Sequence, residues 1–451
     1  MSLSRMLAQR AADSNPIRIG QVGAGKFGTM FLSQLRLTKG MQLVGLADLQ
    51  LERTRERLMG VEWPATQLDA MSVDAALKTG KTFVTESAQV LVEHPEIDVI
   101  VEATGNPTLG IELCLAAIEH GKHIVMVNVE ADALAGPLLA KRAAQKGVVY
   151  SLAWGDQPAL ICEHVDWART CGFEVVAAGK GTRYMPTYHA STPDTVWEIL
   201  DTYLKIQDRS HINPKMFNSF VDGTKSGIEM TAVCNSTGLV PQSNGLGFPP
   251  ASRFEHAEIC KPKADGGVLE KAGVTEVTSS VYRDGTDVPH NLAMGTYVVI
   301  TSDSNYARSC ITEYNCLPDS TGKYGALYRP THMIGLELGY SIASVVLRNE
   351  PTGAPICFNS VVVATAKRAL KAGEMLDGEG GACVWGKQTP AVVSLEAGYL
   401  PLGLSHDVKL KRDVEVGEQL KWDDVELDQS NRAVQIRREM ESHFCRTDVN
   451  S

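Results

Sequence analysis

Short apolar runs alternate with stretches of helical period through the N-terminal third of the chain. Residues 17–22 and 42–47 read as buried strands flanking a helix over 29–37. The pattern then repeats: a buried strand over 97–103, an amphipathic helix over 109–120, a strand over 123–128, a helix over 135–146 and a strand over 148–152. Alternation of this kind predicts an α/β fold with a parallel, doubly wound sheet. Leu3, Met6 and Leu7 suit a short helix lying across this domain, and 60–85 lengthens the crossover after the second strand. Beyond about residue 153 the pattern changes. Helical stretches at 158–171, 195–205 and 213–233 mix with glycine-rich loops and a strand at 297–301, which predicts an α+β domain. A helical stretch at 331–347 would return to the first domain or meet a partner subunit. The last section consists of short strands with turns at glycine. Two of its segments echo each other, Ala366-Lys-Arg-Ala-Leu-Lys-Ala-Gly-Glu374 and Leu410-Lys-Arg-Asp-Val-Glu-Val-Gly-Glu418. The echo predicts a small β-rich module with an internal pseudo-repeat. The expected domains are 1–155, 156–355 and 356–451.

The turn after the first strand carries Gly23-Ala-Gly25-Lys26-Phe27-Gly28, and the second strand ends at Asp48. In a strand–turn–helix–strand–acid setting each glycine has a task. Gly23 permits the tight turn, Gly25 lets backbone approach a pyrophosphate, and Gly28 lets the helix pack close to the strand. The helix start offers amides and partial positive charge to phosphates. This domain is expected to bind a dinucleotide, with Thr104, Gly105 and Asn128 at later strand ends bordering the nicotinamide. Asp48 favours NAD, because a carboxylate accepts from a ribose 2′-hydroxyl and repels a 2′-phosphate. Arg53 and Arg55 offset this if Asp48 turns away.

Charge and composition narrow the partners. A net charge of −10 argues against nucleic acid or an anionic membrane as the main partner, but not against a small anionic substrate. The longest apolar candidate, 333–347, is interrupted by Glu337, and the N-terminus has no apolar signal-like core. The ten cysteines stand singly without a CxxC pair, which suits reduced thiols and a cytoplasmic protein.

The middle segment holds the candidate chemistry. Asp156 either ligates a metal or substrate hydroxyl, or caps the helix that follows it. Lys180 and Arg183, spaced by small residues, form either an anion cradle or a solvated turn. Lys225 and Glu229 share one helical face, as site residues or as a surface ion pair. Lys261, Lys263 and Lys271 lie in a Gly/Pro-rich loop that either closes over a phosphate or is simply solvated. Glu255, His256 and Glu258 precede that loop without tight metal-ligand spacing. Arg329, Thr331 and His332 stand at an expected helix start, either as further phosphate contacts or as capping and solvated residues.

Gly23 to Gly28, the 124–128 strand end and the run Asp222-Gly-Thr-Lys225-Ser-Gly-Ile-Glu229 resemble the homoserine-dehydrogenase-like oxidoreductases. That family's active-site helix carries an aspartate and a lysine four apart. Here the signs are reversed, with Lys225 and Glu229 in those places. The lysine that the family keeps after its asparagine is also missing, since Val129 and Glu130 follow Asn128. Both departures argue against homoserine as substrate. The C-terminal echo resembles the SAF fold, a β-clip module. The whole architecture is similar to the deoxyxylulose-phosphate-reductoisomerase-like enzymes. That resemblance implies NADPH, a divalent Mg²⁺ or Mn²⁺ held by carboxylates such as Asp156 and Glu229, a phosphorylated ketose and a homodimer. Lys180, Lys225, Glu229 and Asp156 then serve the chemistry, and Arg183, Lys261, Lys263 and Arg329 hold the phosphate. A dehydrogenase for another small polyol, sugar acid or amino-alcohol is the alternative. A non-catalytic NAD(P) sensor is a third reading.

Overall fold

The computed structural model describes residues 2–202 and 213–447, with side chains through Phe444. The chain forms two compact units, Met1–Leu160 with His332–Ile356, and Ile161–Thr331 with Cys357–Ser451. The helical stretch after residue 331 returns to the first unit, one of its two expected destinations, so that unit extends beyond the expected boundary at 155. The C-terminal module, expected as a separate domain, clusters with the central one.

The first unit contains β1 (Ile17–Val22), β2 (Met41–Ala47), β3 (Phe83–Thr85), β4 (Val99–Glu102), β5 (His123–Met126) and β6 (Tyr150–Leu152). They form one parallel sheet in the order β3-β2-β1-β4-β5-β6, the doubly wound arrangement whose strand order reverses beside β1. Ile17, Ile19, Leu46, Val101 and Val125 build its core, together with Phe31 of the first crossover helix and Leu338, Ile342 and Val345 of the returning segment. The first crossover helix runs Lys26–Leu35, starting nearer the glycine turn than the hydrophobic pattern indicated. The helix after β5 also starts early, at Val129, because Asn128 caps it: its Oδ1 accepts from Ala131 N at 3.1 Å. The 60–85 insertion is ordered scaffolding. It holds a helix, Val73–Thr79, and Thr82 Oγ1 donates to Leu43 O at 2.8 Å. The helix Leu3–Ala12 is present as expected.

In the second unit, β7 (Glu174–Thr182), β8 (Val274–Ser279), β9 (Thr296–Thr301) and β10 (Tyr324–Arg329) form a mixed sheet ordered β10-β9-β7-β8. Helices Gln157–Thr170 and Thr224–Thr237 pack Ile161, Val165, Met230 and Val233 onto one face; Tyr297, Cys260 and Leu269 help fill the other. The helical stretch expected over 213–233 is two helices, Pro214–Val221 and Thr224–Thr237. Between them Gly223 turns the chain at φ +90°, a conformation that excludes continuous helix. Of the stretch expected over 195–205, Val196–Leu200 is helical and 203–205 lie outside the described residues.

The C-terminal module adds β11 (Ser360–Ala366), β12 (Met375–Asp377), β13 (Val384–Pro390), β14 (His406–Leu410) and β15 (Val425–Glu426). Its echo segments pair with each other. Leu370 and Val414 exchange backbone hydrogen bonds of 2.9 and 3.0 Å, and the ion pairs Arg368–Glu374 and Arg412–Glu418 occupy equivalent places. A local two-fold relation follows directly from the repeated sequence.

Candidate active site

The glycine turn has the shape a dinucleotide pyrophosphate requires. Gly23 has φ +94°, and a Cβ there would stand 2.5 Å from Ala103 O. A Cβ on Gly28 would meet Gly23 O at 2.6 Å, so helix and strand touch. At Gly25 nothing lies within 4 Å of an added Cβ, and no side chain caps the helix that starts there. Lys26 is exposed and Phe27 half-buried at that start. An open backbone surface at an uncapped helix N-terminus fits a pyrophosphate.

Ala24, at the tip, is clasped from both sides. Asp48 Oδ2 accepts from Ala24 N at 2.8 Å, while Arg57 Nη1 donates to Ala24 O at 2.7 Å and Thr29 Oγ1 to the same oxygen at 3.1 Å. Asp48 therefore faces the loop; it does not turn away. Arg53 binds Gln50 Oε1 at 3.1 Å and Arg55 is drawn to Leu68 O, so of these arginines it is Arg57, not weighed from sequence, that reaches the turn.

The loop after β4, expected to border the nicotinamide, rests on a buried carboxylate. Glu102 Oε1 accepts from Thr104 N at 2.9 Å and from Thr104 Oγ1 at 2.5 Å. Asn128 Nδ2 donates to Asn106 O at 2.9 Å. Gly105 has φ +70° and open space where a Cβ would be. Asn128 thus acts by tying the loop to the next helix. Burial pushes the Glu102 carboxyl up to about 7, and likewise Asp132, whose Oδ1 accepts from Tyr150 OH at 2.8 Å. Both groups are raised above their unfolded values, so the native state retains protons that the unfolded chain releases in the acid range. Their stabilisation is full below the unfolded pKa and is lost as pH rises to about 7. The thermal midpoint of the wild type should accordingly fall several degrees more between about pH 5 and about pH 8 than that of the Glu102→Gln/Asp132→Asn double variant. Parallel curves for the two proteins would refute this.

In the second unit, Lys180 Nζ and Glu229 Oε2 form an ion pair, both side chains being almost wholly buried. Lys180 lies on β7, directly opposite Thr296 of β9, which is opposite Arg329 of β10. Cross-strand partners project to one face, so Lys180, Thr296 and Arg329 make a row about 10 Å long. His164 Nε2 lies 3.0 Å from Thr296 Oγ1. Burial, reinforced by Arg329, pushes the His164 imidazole down to about 4, so it is neutral near pH 7. Lys225 is half-buried one turn before Glu229 on the same helix.

Other expected site residues have different duties. Arg183 does not join Lys180 in a cradle: it pairs with Asp287 at 2.7 Å. Gly179-Lys180-Gly181 is strand, not turn. Its glycines are there because added Cβ atoms would stand 1.8 Å from Glu276 O and 2.0 Å from Leu292 O. Lys261 is buried between Glu258 (2.8 Å) and Asp319 (2.9 Å), which removes it from phosphate binding. Lys263 is exposed on a short turn. His256 is stacked on Tyr297 at 4.1 Å and held near 4 by burial, as a core residue. In the first unit, Asp156 Oδ1 accepts from Gln157 N at 2.8 Å at the start of its helix. Among the described residues, no three or more His, Cys, Asp or Glu are grouped to hold a metal ion. With Glu229 engaged by Lys180, the donors do not fit a resident divalent cation.

Comparison with known proteins agrees with this division of labour. Residues 23–152 match the family model for the homoserine dehydrogenase NAD-binding domain, and residues 155–338 match that for the catalytic domain of oxidoreductase DRL. The chain is 38% identical over 104 residues to homoserine dehydrogenase of Pseudomonas aeruginosa, covering 22% of this chain and 24% of that enzyme. It is 32% identical over 114 residues to homoserine dehydrogenase of Methylobacillus glycogenes, covering 24% and 23%. The chain thus spans about a quarter of the length of the curated relatives it matches. Among solved structures, a Thermotoga maritima protein described as a probable dehydrogenase aligns over 74% of this chain and 90% of its own, with 12% identity and a TM-score of 0.37. The glycine loop and the two matches define the domains of an NAD(P)-dependent oxidoreductase. More particularly, they join a homoserine-dehydrogenase-type NAD-binding domain to a DRL-type catalytic domain.

Proposed function

We propose that this protein is an NADPH-dependent oxidoreductase that interconverts a small anionic ketone or aldehyde and its alcohol. The observation that carries the reading is the buried Lys180–Glu229 pair in the DRL-type domain, in line with Thr296 and Arg329. Burial of an ion pair alone does not mark a site, since Lys261–Asp319 is buried too. The pair at Lys180 is set apart by its place in line with Thr296 and Arg329 on one sheet face, with His164 against Thr296. When bound, a reduced nicotinamide supplies hydride to the carbonyl carbon. Lys180 donates a proton to the carbonyl oxygen as the C=O bond becomes C–O–H, and Glu229 holds the ammonium in place. Arg329 and Lys225 supply positive charge for an anionic group on the substrate. Lys180 runs the same transfer backwards when the alcohol is oxidised.

A second reading, reductoisomerisation of 1-deoxy-D-xylulose 5-phosphate to 2-C-methyl-D-erythritol 4-phosphate, is favoured by one observation. The signs at 225 and 229 are opposite to those that the resemblance gives for the homoserine enzymes. It requires a divalent cation brought with the substrate. NAD(P)H consumption should be followed with phosphorylated ketoses, sugar acids and amino-alcohols, each with Mg²⁺ or Mn²⁺ and then with EDTA. Metal-independent turnover supports the simple reductase, and turnover of the deoxyxylulose ester abolished by EDTA supports the second reading. No turnover with any of them, cofactor binding being intact, removes both. A homodimer belongs to the same proposal and rests on the resemblance alone; a monomeric mass by light scattering removes it.

A further inference from the structure

The C-terminal module lies along the helix that carries Lys225 and Glu229. Thr224, Gly227, Thr231 and Asn235 recur at helical spacing and form one stripe of that helix. Each meets the module. Gly386 N donates to Thr224 Oγ1 at 2.8 Å, and a Cβ on Gly227 would stand 2.9 Å from Gly386 O. The Thr231 and Ser360 hydroxyls are 2.8 Å apart, and Asn235 Oδ1 accepts from the amides of Asn359 and Ser360 at 2.8 and 3.0 Å. Met230 and Val233 face the sheet core and Glu229 meets Lys180, so the helix is held between module and sheet.

The turn that starts this helix is held at Asp222 and at Thr224. Lys367 Nζ donates to Ser191 O and Gly381 O, each at 2.7 Å, and its ammonium forms an ion pair with Asp222 Oδ2 at 2.7 Å. Asp222 Oδ1 in turn accepts from Thr224 N at 2.8 Å. Trp385 stacks on His189 with ring centres 3.7 Å apart. His189 donates from Nδ1 to Asp222 O at 2.7 Å and accepts at Nε2 from Tyr184 OH at 2.8 Å. Gly386 fixes Thr224, and Gly223 between them has φ +90°. Of the three contacts of Lys367 only the one to Gly381 O lies within the module. The counterpart of Lys367 in the second echo, Lys411, is exposed, although Arg368 and Arg412 keep matching ion pairs.

We infer that the C-terminal module is part of the active-site frame, and that Lys367 is a positioning residue that sets Glu229 against Lys180 through the turn at residues 222–224. The inference rests on the Lys180–Glu229 reading of the site. Its test uses the full chain, as Lys367→Met and, independently, as Thr224→Val, which removes one module contact without leaving a buried charge. Amide exchange over Thr224–Thr237 should rise about tenfold, and competitive acylation of Lys180 should quicken about tenfold as its carboxylate partner moves off. NADPH affinity, set by the other unit, should stay within about twofold, and kcat should fall with the change in Lys180 labelling. Wild-type labelling of Lys180 in a folded variant would overturn the inference, even if exchange rises, because the module would then be scaffold alone. If Lys367→Met does not fold, Thr224→Val decides on the same criteria. Labelling and exchange need no substrate, so they also decide if the wild type turns over none of the proposed compounds.

Discussion

Lys180→Met should lower kcat by about 10²- to 10⁴-fold, the range lost when a positioned general acid is removed, while NADPH affinity is unchanged. The substitution keeps the length of the side chain and removes both the proton and the charge. It also strands the Glu229 carboxylate, whose side chain is only 5% exposed, and breaking such a pair costs about 3–5 kcal/mol of stability. Stability and chemistry must therefore be separated. Glu229→Gln with Lys180→Met removes the stranded charge, so the double variant should recover thermal stability without recovering turnover. Lys180→Arg divides the two roles more sharply. A guanidinium satisfies an ion pair but does not release a proton near neutral pH, so a stabilising pair tolerates it and a proton donor does not. The expected result is a folded Lys180→Arg enzyme with kcat close to that of Lys180→Met. Near wild-type turnover in Lys180→Arg would assign Lys180 to substrate orientation and move the proton-transfer step elsewhere.

What the sequence disclosed and withheld follows from the range of the interactions. The glycine loop was legible because its constraints are local: φ at Gly23 and the contact at Gly28 arise within a few residues of β1 and its helix. The pseudo-repeat was legible because two copies of one pattern pair with each other. Lys180 stood out by type, yet its neighbours were misread. Glycines beside a cation suggest a loop, whereas here they serve close strand contacts with Glu276 O and Leu292 O. Once Lys180 is in a strand, Arg183 three positions on belongs to the opposite parity, and the expected cradle cannot form. Thr296 and Arg329 enter the row through strand register, and His164 through helix packing; no local pattern encodes either. Lys261 failed for the converse reason, since Asp319, its buried partner, is 58 positions away. Lys367 gave no signal because its counterpart Lys411 stands in the same Lys-Arg pair ahead of a Gly-Glu turn and has an exposed side chain.

Arg57→Gln should abolish a preference for NADPH over NADH that the wild type is expected to show, a change of about 10- to 100-fold in the ratio of dissociation constants. Asp48 alone points the other way, toward a free ribose hydroxyl. Its place in the structure changes the argument. Its Oδ2 is engaged by Ala24 N and its Oδ1 by Gln50 N at 3.0 Å, so part of its charge is neutralised by amide dipoles that hold the turn closed. Arg57 stands on the other side of Ala24, half-buried, with one donor on Ala24 O and a rigid fork of four further N–H groups. No carboxylate lies within ion-pairing distance of it among the described residues, and a 2′-phosphate would supply the anion. Glutamine can still donate to Ala24 O and keep the turn in shape, which isolates the charge. Binding of 2′,5′-ADP against 5′-AMP by calorimetry reads the 2′-phosphate without any substrate. If Arg57→Gln weakens both ligands equally, Arg57 shapes the loop and does not select the cofactor. If the wild type binds 5′-AMP as tightly as 2′,5′-ADP, Asp48 governs the site and the cofactor is NADH.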